Sequence, residues 1–197
     1  MRRCLVIVSV IVTCLGTALA QQTPVHIPIL NPNFTGDALS CGAGSGCSQN
    51  GITGWLCGPN SGVAKFSTVQ YPSAPASGVY VATLGDSAVT GSIMQTLGVN
   101  LEANMAYVLK LSVGARADYP FTGYLAALMA GNVTVASRSA ATPTGGTFVL
   151  DTIAYESGAS PAQLGQPLQI FVKSVGTGQV NIAGVSLTAT PLLEAKQ

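Results

Sequence analysis

Residues 105–113 read MAYVLKLSV, and this stretch decides the fold class. Every second residue from Met105 to Val113 is large and apolar, whereas the residues between them include Lys110 and Ser112. Successive side chains of a β-strand point to opposite faces, so the stretch predicts a strand with one core face and one mostly solvated face.

Eight further runs from Val25 onward show the same period of two, and clusters of Gly, Pro, Asn and Ser separate them. No long stretch of helical period interrupts the series. Nine short strands in one chain predict an all-β fold, an antiparallel β-sandwich with two layers. The eight runs are Val25 to Leu30, Val79 to Leu84, Ser92 to Leu97, Gly123 to Met129, Val133 to Arg138, Phe148 to Tyr155, Leu168 to Val175 and Gln179 to Ala189.

Three short segments predict two turns between strands and one irregularity within a strand. Ala130-Gly131-Asn132 is typical of a tight hairpin, and Gly176-Thr177-Gly178 predicts a second hairpin that makes the last two strands antiparallel neighbours. The apolar residues of the last run change phase between Ile182 and Val185. The extra residue predicts a β-bulge at Ala183-Gly184.

A different composition marks the stretch from Thr35 to Pro75, which is rich in Gly, Ser, Asn and Cys. It is predicted to be a long loop, and long loops often carry function. Trp55 stands in its middle. A tryptophan there has two interpretations, stacking on the apolar face of a sugar or closing one end of the sandwich.

The composition limits the classes of function. The chain has 197 residues, a formal net charge of +1, 48% hydrophobic residues and only 8% charged residues. Its length suits a single domain with a core of its own. So few charges exclude a disordered chain, a coiled coil and a nucleic-acid binder. His26 is the single histidine, so the common metal-binding and proton-transfer constellations lack their usual residue.

The first twenty residues have the pattern of a secretory signal peptide. Arg2 and Arg3 precede an apolar run that ends before the small-residue site Ala18-Leu19-Ala20. The run is shorter than the ~20 residues that a membrane-spanning helix needs. We therefore expect a leader over 1–20, a sandwich domain over 21–190 and a tail over 191–197, in a protein that is secreted, either extracellular or periplasmic.

Removal of the leader would leave three cysteines, Cys41, Cys47 and Cys57. In an oxidising compartment they predict one disulfide and one remaining thiol. Both Cys41 with Cys57 and Cys41 with Cys47 fit the spacing. A zinc site is the alternative, but a fourth ligand is missing nearby.

Five motifs in this order resemble the galactose-binding-like jelly-roll sandwich, a plan shared by many secreted carbohydrate-binding modules. They are ILNPNF at 29–34, GITGW at 51–55, GSIMQTL at 91–97, YVLKLSVG at 107–114 and VNIAGVSL at 180–187. The segment VGARADYPFTGY at 113–124, followed by LMAG at 128–131, is similar to the bacterial branch that includes the Stig cyclases. That resemblance implies cyclisation of prenylated indole isonitriles.

Two positions depart from the pattern of these families. Relatives carry an acidic residue after the opening motif and another in the last strand, and these help to hold a structural calcium ion. Here the positions are Thr35 and Ala183, which weakens the case for calcium. Asp37 and backbone carbonyls are the remaining candidate ligands, so no cofactor is assigned. The resemblance also implies that the last-strand acid donates the proton in the Stig cyclases, and Ala183-Gly184 supplies no carboxyl group.

The candidate site residues are mostly aromatic. Asp118 is the candidate catalytic acid if the protein is an enzyme, although an Asp that fixes its own turn and pairs with Arg116 is the simpler interpretation and the one that we favour. An apolar or carbohydrate ligand would contact aromatic side chains, with Tyr71 as a further member of the group. The candidate ligand-binding residues are Trp55, Tyr80, Tyr119, Phe121 and Tyr124.

Three hypotheses about function follow. The first is a secreted, non-catalytic binding module for an extracellular glycan or a small apolar ligand. The alternative is a Stig-type cyclase with Asp118 as its substitute acid. The third is a surface-layer component that associates through its sheet edges. None of them involves nucleic acid or a membrane span, and the oligomeric state is left open.

Overall fold

The computed structural model describes residues 22–39, 47–74 and 78–193, so the predicted leader and Cys41 lie outside the described residues. This part of the chain contains β-strands and no helix, and therefore no helix long and apolar enough to cross a membrane. The strands are β1 (Val25–Ile27), β2 (Cys47–Asn50), β3 (Leu56–Cys57), β4 (Ser61–Phe66), β5 (Val79–Leu84), β6 (Ser92–Asn100), β7 (Met105–Ala115), β8 (Tyr124–Ala130), β9 (Val133–Arg138), β10 (Thr147–Glu156), β11 (Pro167–Ser174) and β12 (Val180–Pro191).

The strands form two antiparallel sheets. The larger sheet has seven strands in the order β10-β7-β12-β5-β4-β2, and β1 pairs with β12 beside β5. The smaller sheet has five strands in the order β3-β6-β11-β8-β9. The all-β prediction, an antiparallel sandwich of two layers, is confirmed.

Strand β7 shows how the alternating pattern builds the core. Tyr107, Leu109, Leu111 and Val113 are at most 2% exposed, whereas Lys110 between them is exposed. Burial of each such apolar side chain stabilises the fold by roughly 1.5–3 kcal/mol. The buried residues of β7 share one cluster with residues of the smaller sheet, which include Ile93, Leu128 and Ile170.

The predicted bulge in β12 is confirmed. Ile182 pairs with Val113 and Val185 pairs with Leu111, so β12 has one residue more than β7 over this interval. Gly184 adopts φ +101°, a conformation that side chains rarely permit. The bulge thus restores the alternation, and both Ile182 and Val185 point into the core.

One of the two predicted hairpins is confirmed. Ala130 pairs with Val133, and the two residues between them, Gly131 and Asn132, both have positive φ. Positive φ at both central residues is the conformation of a type I′ turn.

The second predicted hairpin is wrong, because β11 and β12 belong to different sheets. Val175 N–H donates to Gly123 O, and Gln179 N–H donates to Pro120 O, each at 3.0 Å. The turn at 176–178 therefore crosses from one layer to the other. Glycine-rich sequence predicts a reversal of the chain, but it does not determine whether the next strand stays in the same sheet.

The prediction of one long loop over 35–75 is also wrong, because the stretch contains β2, β3 and β4. Gly62 and Ala64 lie buried on one face of β4, whose sequence is SGVAKF. Because these residues are small, the sequence shows no clear alternation of large apolar and polar side chains. Among the described residues Cys57 is a free cysteine, and the pairing of Cys41 stays a prediction.

A buried polar cluster connects the two sheets at one edge. Tyr124 of β8 donates a hydrogen bond to the Asp151 carboxylate of β10, and Arg138 of β9 contacts the other carboxylate oxygen at 2.7 Å. The Tyr124 hydroxyl also accepts the Ala141 N–H at 3.0 Å. Asp151 is only 3% exposed, so its charge depends on these partners.

We predict that Tyr124→Phe lowers the free energy of unfolding by about 1–3 kcal/mol, because it leaves a buried carboxylate oxygen without its donor. Tyr155→Phe is the matched control, since no hydrogen bond of the Tyr155 hydroxyl is found in the described part of the chain. Urea unfolding of both variants measures the difference. Equal stability of the two variants would contradict a role for this cluster in joining the sheets.

Candidate functional site

A second apolar cluster lies on the outer face of the larger sheet, apart from the core between the layers. Its buried members are Ala64, Phe66, Tyr71 and Val81. The alternation of β4 and β5 places these strand residues opposite to the side chains that enter the main core. Apolar side chains on both faces of a sheet indicate that another segment covers the outer face.

The covering segment is the turn that follows β4. Tyr71 N–H donates to Ser67 O at 3.0 Å, Ala74 N–H donates to Tyr71 O at 2.8 Å, and the Gln70 side chain accepts from the Ser67 N–H at 3.2 Å. These bonds fold the segment back on itself. The Tyr71 ring is thereby brought onto the sheet, where it is only 1% exposed.

Glycine at position 114 makes room for two aromatic rings. A Cβ atom at Gly114 would collide with the Phe148 ring and the Tyr71 hydroxyl. Without it, the Tyr71 and Phe148 rings stack with centroids 4.3 Å apart and planes inclined by 20°. Phe66 lies 6.1 Å from Tyr71 in a tilted arrangement. Three aromatic rings thus gather on the outer face of the sheet.

A chain of polar groups runs beneath these rings. The Tyr71 hydroxyl donates to Asn181 Oδ1 at 2.5 Å, and Asn181 is completely buried. Asn181 Nδ2 lies 3.4 Å from Gln179 Oε1, which also accepts from Arg116 Nη1 at 3.0 Å. Burial raises the pKa of the Tyr71 phenol well above its usual value, so the phenol is protonated at neutral pH.

Arg116 orders the border of the cluster. Its guanidinium lies 4.6 Å from the centroid of Phe66 and 5.3 Å from that of Tyr119, and it forms an ion pair with Asp118 at 2.8 Å. The pKa of Asp118 is lowered, mainly by the hydrogen bonds that Arg116 donates to its carboxylate. A lowered pKa favours the carboxylate, which makes Asp118 a weak candidate for the donation of a proton near neutral pH.

Two cavities lie on this face. The first has a volume of about 250 Å³ and is lined by Tyr71, Ser73, Ala74, Val79, Gly146, Thr147 and Phe148. The second, about 240 Å³ and more open, includes Lys110, Ser112, Leu150 and Ala183. Phe148 and Leu150 are alternate residues of β10 and therefore lie on one face. We name the two cavities together the outer-face groove.

The structure separates the candidate residues into two groups. Trp55 and Tyr124 are 7% and 1% exposed in the core between the sheets, and Tyr80 and Phe121 pack against that core. Asp118 and Tyr119 lie with Arg116 beside the outer cluster. The residues do not form one pocket.

Interactions with neighbouring residues hold the Trp55 and Tyr80 rings in their positions. Trp55 packs against Phe34, with centroids 5.7 Å apart, and its indole N–H donates to Leu30 O at 3.1 Å. Lys65 lies over the Tyr80 ring at 5.4 Å.

Sequence reasoning missed Phe148 and Asn181 as members of the site. Gly114, a glycine inside a strand of large residues, was the available signal, because it marks a close approach by another group. The cross-strand pairs of Gly114 with Phe148 and with Asn181 then identify which residues approach it.

The loop that follows β1 does not fit a calcium ion. Asp37 accepts hydrogen bonds from Thr53 Oγ1 at 2.6 Å, from Thr53 N–H at 3.2 Å and from Asn31 Nδ2 at 3.0 Å. Leu30 O accepts from the Trp55 indole and from Gln95 Nε2. Calcium needs six to eight oxygen ligands, and these oxygens already face donors. No cluster of three or more metal-binding side chains occurs among residues 22–39, 47–74 and 78–193.

Comparison with protein families identifies the family of this chain. The family model of the HpiC1 cyclase matches residues 25–188, which span both sheets. The chain belongs to the HpiC1-like family. The resemblance to Stig cyclases is therefore confirmed, and the cyclase alternative has better support than the carbohydrate-binding hypothesis. A search of curated proteins gives no significant match.

Solved structures show the same fold as this HpiC1-like chain. The Stig cyclase Fisc from Fischerella sp. TAU, in complex with (3Z)-3-(1-methyl-2-pyrrolidinylidene)-3H-indole, has a TM-score of 0.75 at 23% identity, over 87% of this chain and all of that chain. A cyclase from Fischerella sp. TAU in complex with 4-(1H-indol-3-yl)butan-2-one has a TM-score of 0.73 at 23% identity, over 86% and 99% of the two chains.

A carbohydrate-binding protein shares the fold more distantly. TmCBM61 in complex with beta-1,4-galactotriose has a TM-score of 0.52 at 13% identity, over 82% of this chain and 97% of that chain. At this identity the similarity concerns the fold alone.

We predict that this HpiC1-like chain has the same Tm in excess calcium and in excess EDTA, because Asp37 is committed to protein donors. If the protein bound calcium, a free calcium concentration of a hundred times the Kd would add about 2.7 kcal/mol to the free energy of unfolding and raise the Tm by several degrees. Thermal unfolding monitored by circular dichroism measures the difference. Magnesium is the control for ionic strength, and a rise in Tm specific to calcium would contradict the prediction.

Proposed function

We propose that the protein binds a small indole-type molecule in the outer-face groove and acts on it as a Stig-type cyclase. The observation that carries the proposal is the stack of Tyr71 and Phe148 beside a cavity of about 250 Å³. This cavity is slightly smaller than the ~300–1,000 Å³ of typical ligand pockets, so it suits a small planar ring with its substituents in the second cavity.

The chemistry of the groove favours an apolar aromatic ring over a sugar. Its first cavity is bordered by Tyr71, Phe148, Ala74 and Val79, which bring apolar surface and few hydrogen-bonding groups. Sugar recognition uses polar side chains beside an exposed aromatic ring, whereas Trp55 is buried. The structures of the two Fischerella cyclases named above are complexes with an indole compound, which supports the same ligand class here.

Family membership supports cyclisation as the reaction, with a prenylated indole isonitrile as the first substrate to assay. In this proposal the aromatic stack holds the ring, and the covering segment at 67–74 limits access of water to it. The Tyr71 hydroxyl uses its proton in the hydrogen bond to Asn181 Oδ1. The chain has no carboxyl group at Ala183, and Asp118 is ion-paired. We therefore propose that the native chain turns over this substrate slowly.

The proposed location is extracellular or periplasmic, since residues 1–20 have the pattern of a secretory leader. Cell fractionation of the producing organism tests this part of the proposal.

The binding part of the proposal predicts that Phe148→Leu weakens the affinity for 4-(1H-indol-3-yl)butan-2-one about tenfold, or roughly 1.4 kcal/mol. Leucine keeps an apolar side chain over Gly114 but removes the flat ring. Isothermal titration calorimetry measures the Kd of both proteins.

Phe171→Leu is the matched control, because Phe171 lies on β11 of the smaller sheet and is also partly exposed. The control variant is expected to bind as the native chain does. No binding by the native chain, or equal losses in both variants, would contradict the outer-face groove as the site.

The catalytic part of the proposal predicts that Ala183→Asp raises the rate of cyclisation about a hundredfold, because it restores an acid at the position that the resemblance implies. Cyclisation conserves mass, so chromatography of products with the mass of the substrate measures the rate.

Ala183→Asn is the control variant, since it has the same shape without a proton to donate. Thermal unfolding of both variants verifies that they fold. Equal rates for the Asp and Asn variants, or no product from any of the proteins, would contradict the catalytic part.

A further inference from the structure

The second cavity of the outer-face groove has an unusual electrostatic character. Lys110 is its only ionisable lining residue, and three other lining residues have hydrogen-bonding side chains. The polar lining residues are Asn33, Lys110, Ser112 and Ser186.

Strand pairing explains why these groups meet. Lys110 of β7 pairs with Ser186 of β12, and Ser112 of β7 pairs with Leu150 of β10. Ser112, two residues after Lys110, points to the same outer face. The bulge at Ala183-Gly184 lies between these pairs, and Val185 N–H donates to Pro32 O at 2.9 Å, which brings the loop with Asn33 to the same place.

No carboxylate neutralises Lys110 within the described residues. The two ion pairs found there are Arg116 with Asp118 and Arg138 with Asp151. Asp151 belongs to the strand next to Lys110, but its carboxylate points inward to Tyr124. With Ala183 at the position of the family's acid, the cavity carries a net positive charge.

Alternate residues of one strand line the positive cavity and the aromatic cavity. Leu150 lines the second cavity and Phe148 the first, and alternate residues of a strand are about 7 Å apart. Ala183 lines the second cavity and also packs against the cluster that contains Tyr71. A ring that lies on Phe148 can therefore extend a short side chain into the second cavity.

We infer that the groove prefers an indole-type compound whose short side chain ends in a carboxylate to a neutral indole compound of the same shape. Lys110 supplies the positive charge, and the hydroxyls of Ser112 and Ser186 and the amide of Asn33 donate hydrogen bonds to the anion. This inference rests on the proposed function and adds the charge of the ligand to it.

Two ligands of nearly the same shape test the inference. In 3-(1H-indol-3-yl)propanoate a carboxylate oxygen replaces the methyl group of 4-(1H-indol-3-yl)butan-2-one. Calorimetry at low ionic strength is expected to give about fivefold tighter binding of the acid, the size expected for an exposed ion pair. The preference is expected to disappear at about 1 M salt, where charges are screened within ~3 Å.

Variants assign the preference to one side chain. Lys110→Gln is expected to remove the preference for the acid, so that the acid and the ketone bind this variant with equal affinity. Lys173→Gln is the matched control, since Lys173 is exposed on β11 of the smaller sheet, and it is expected to keep the preference.

The outcomes separate this inference from the proposed function. If neither ligand binds the native chain, the proposed function fails and the inference fails with it. If the ketone binds as tightly as the acid or more tightly, the inference is overturned while the proposed function stands. A preference for the acid that survives Lys110→Gln also overturns it.

Discussion

Burial of the inner face of the larger sheet against the smaller sheet is the constraint on which the other features depend. Once Leu109, Leu111 and Val113 enter the core, the pleat of β7 turns Lys110, Ser112 and Gly114 outward. The same holds for Asn181 and Ala183 of β12, provided that the bulge at Ala183-Gly184 absorbs the extra residue. The floor of the outer-face groove is thus determined by packing on the opposite side of the sheet.

The polar network under the aromatic rings fixes the orientation of the side chains in this floor. Arg116 can only donate hydrogen bonds, so the Gln179 oxygen must face it. Asn181 then turns its nitrogen to Gln179 and its oxygen to Tyr71, whose single proton is used for that bond. A buried polar group without a partner costs about 1–3 kcal/mol, which keeps the whole arrangement in one orientation.

The alternation of side chains in the sequence was sufficient to predict nine of the twelve strands in the described part of the chain, and a change in its phase located the bulge. The Gly131-Asn132 turn was predictable because positive φ restricts residue choice. Sequence did not predict that β11 and β12 belong to different layers, since a turn at 176–178 is compatible with both arrangements. Strand β4 was missed because small residues carry little periodic signal.

The same limit explains the prediction of the site. Asp118 and Tyr119 follow Arg116 within three residues and could be grouped by inspection. Phe148, Gly114 and Asn181 meet only through cross-strand pairing, which the sequence of each strand does not specify. Because the groove lies outside the core, exposed residues such as Lys110 and Ser186 can be exchanged with little effect on folding. Descendants of one ancestral sandwich can thereby diverge in the molecules that they recognise while they keep a common architecture.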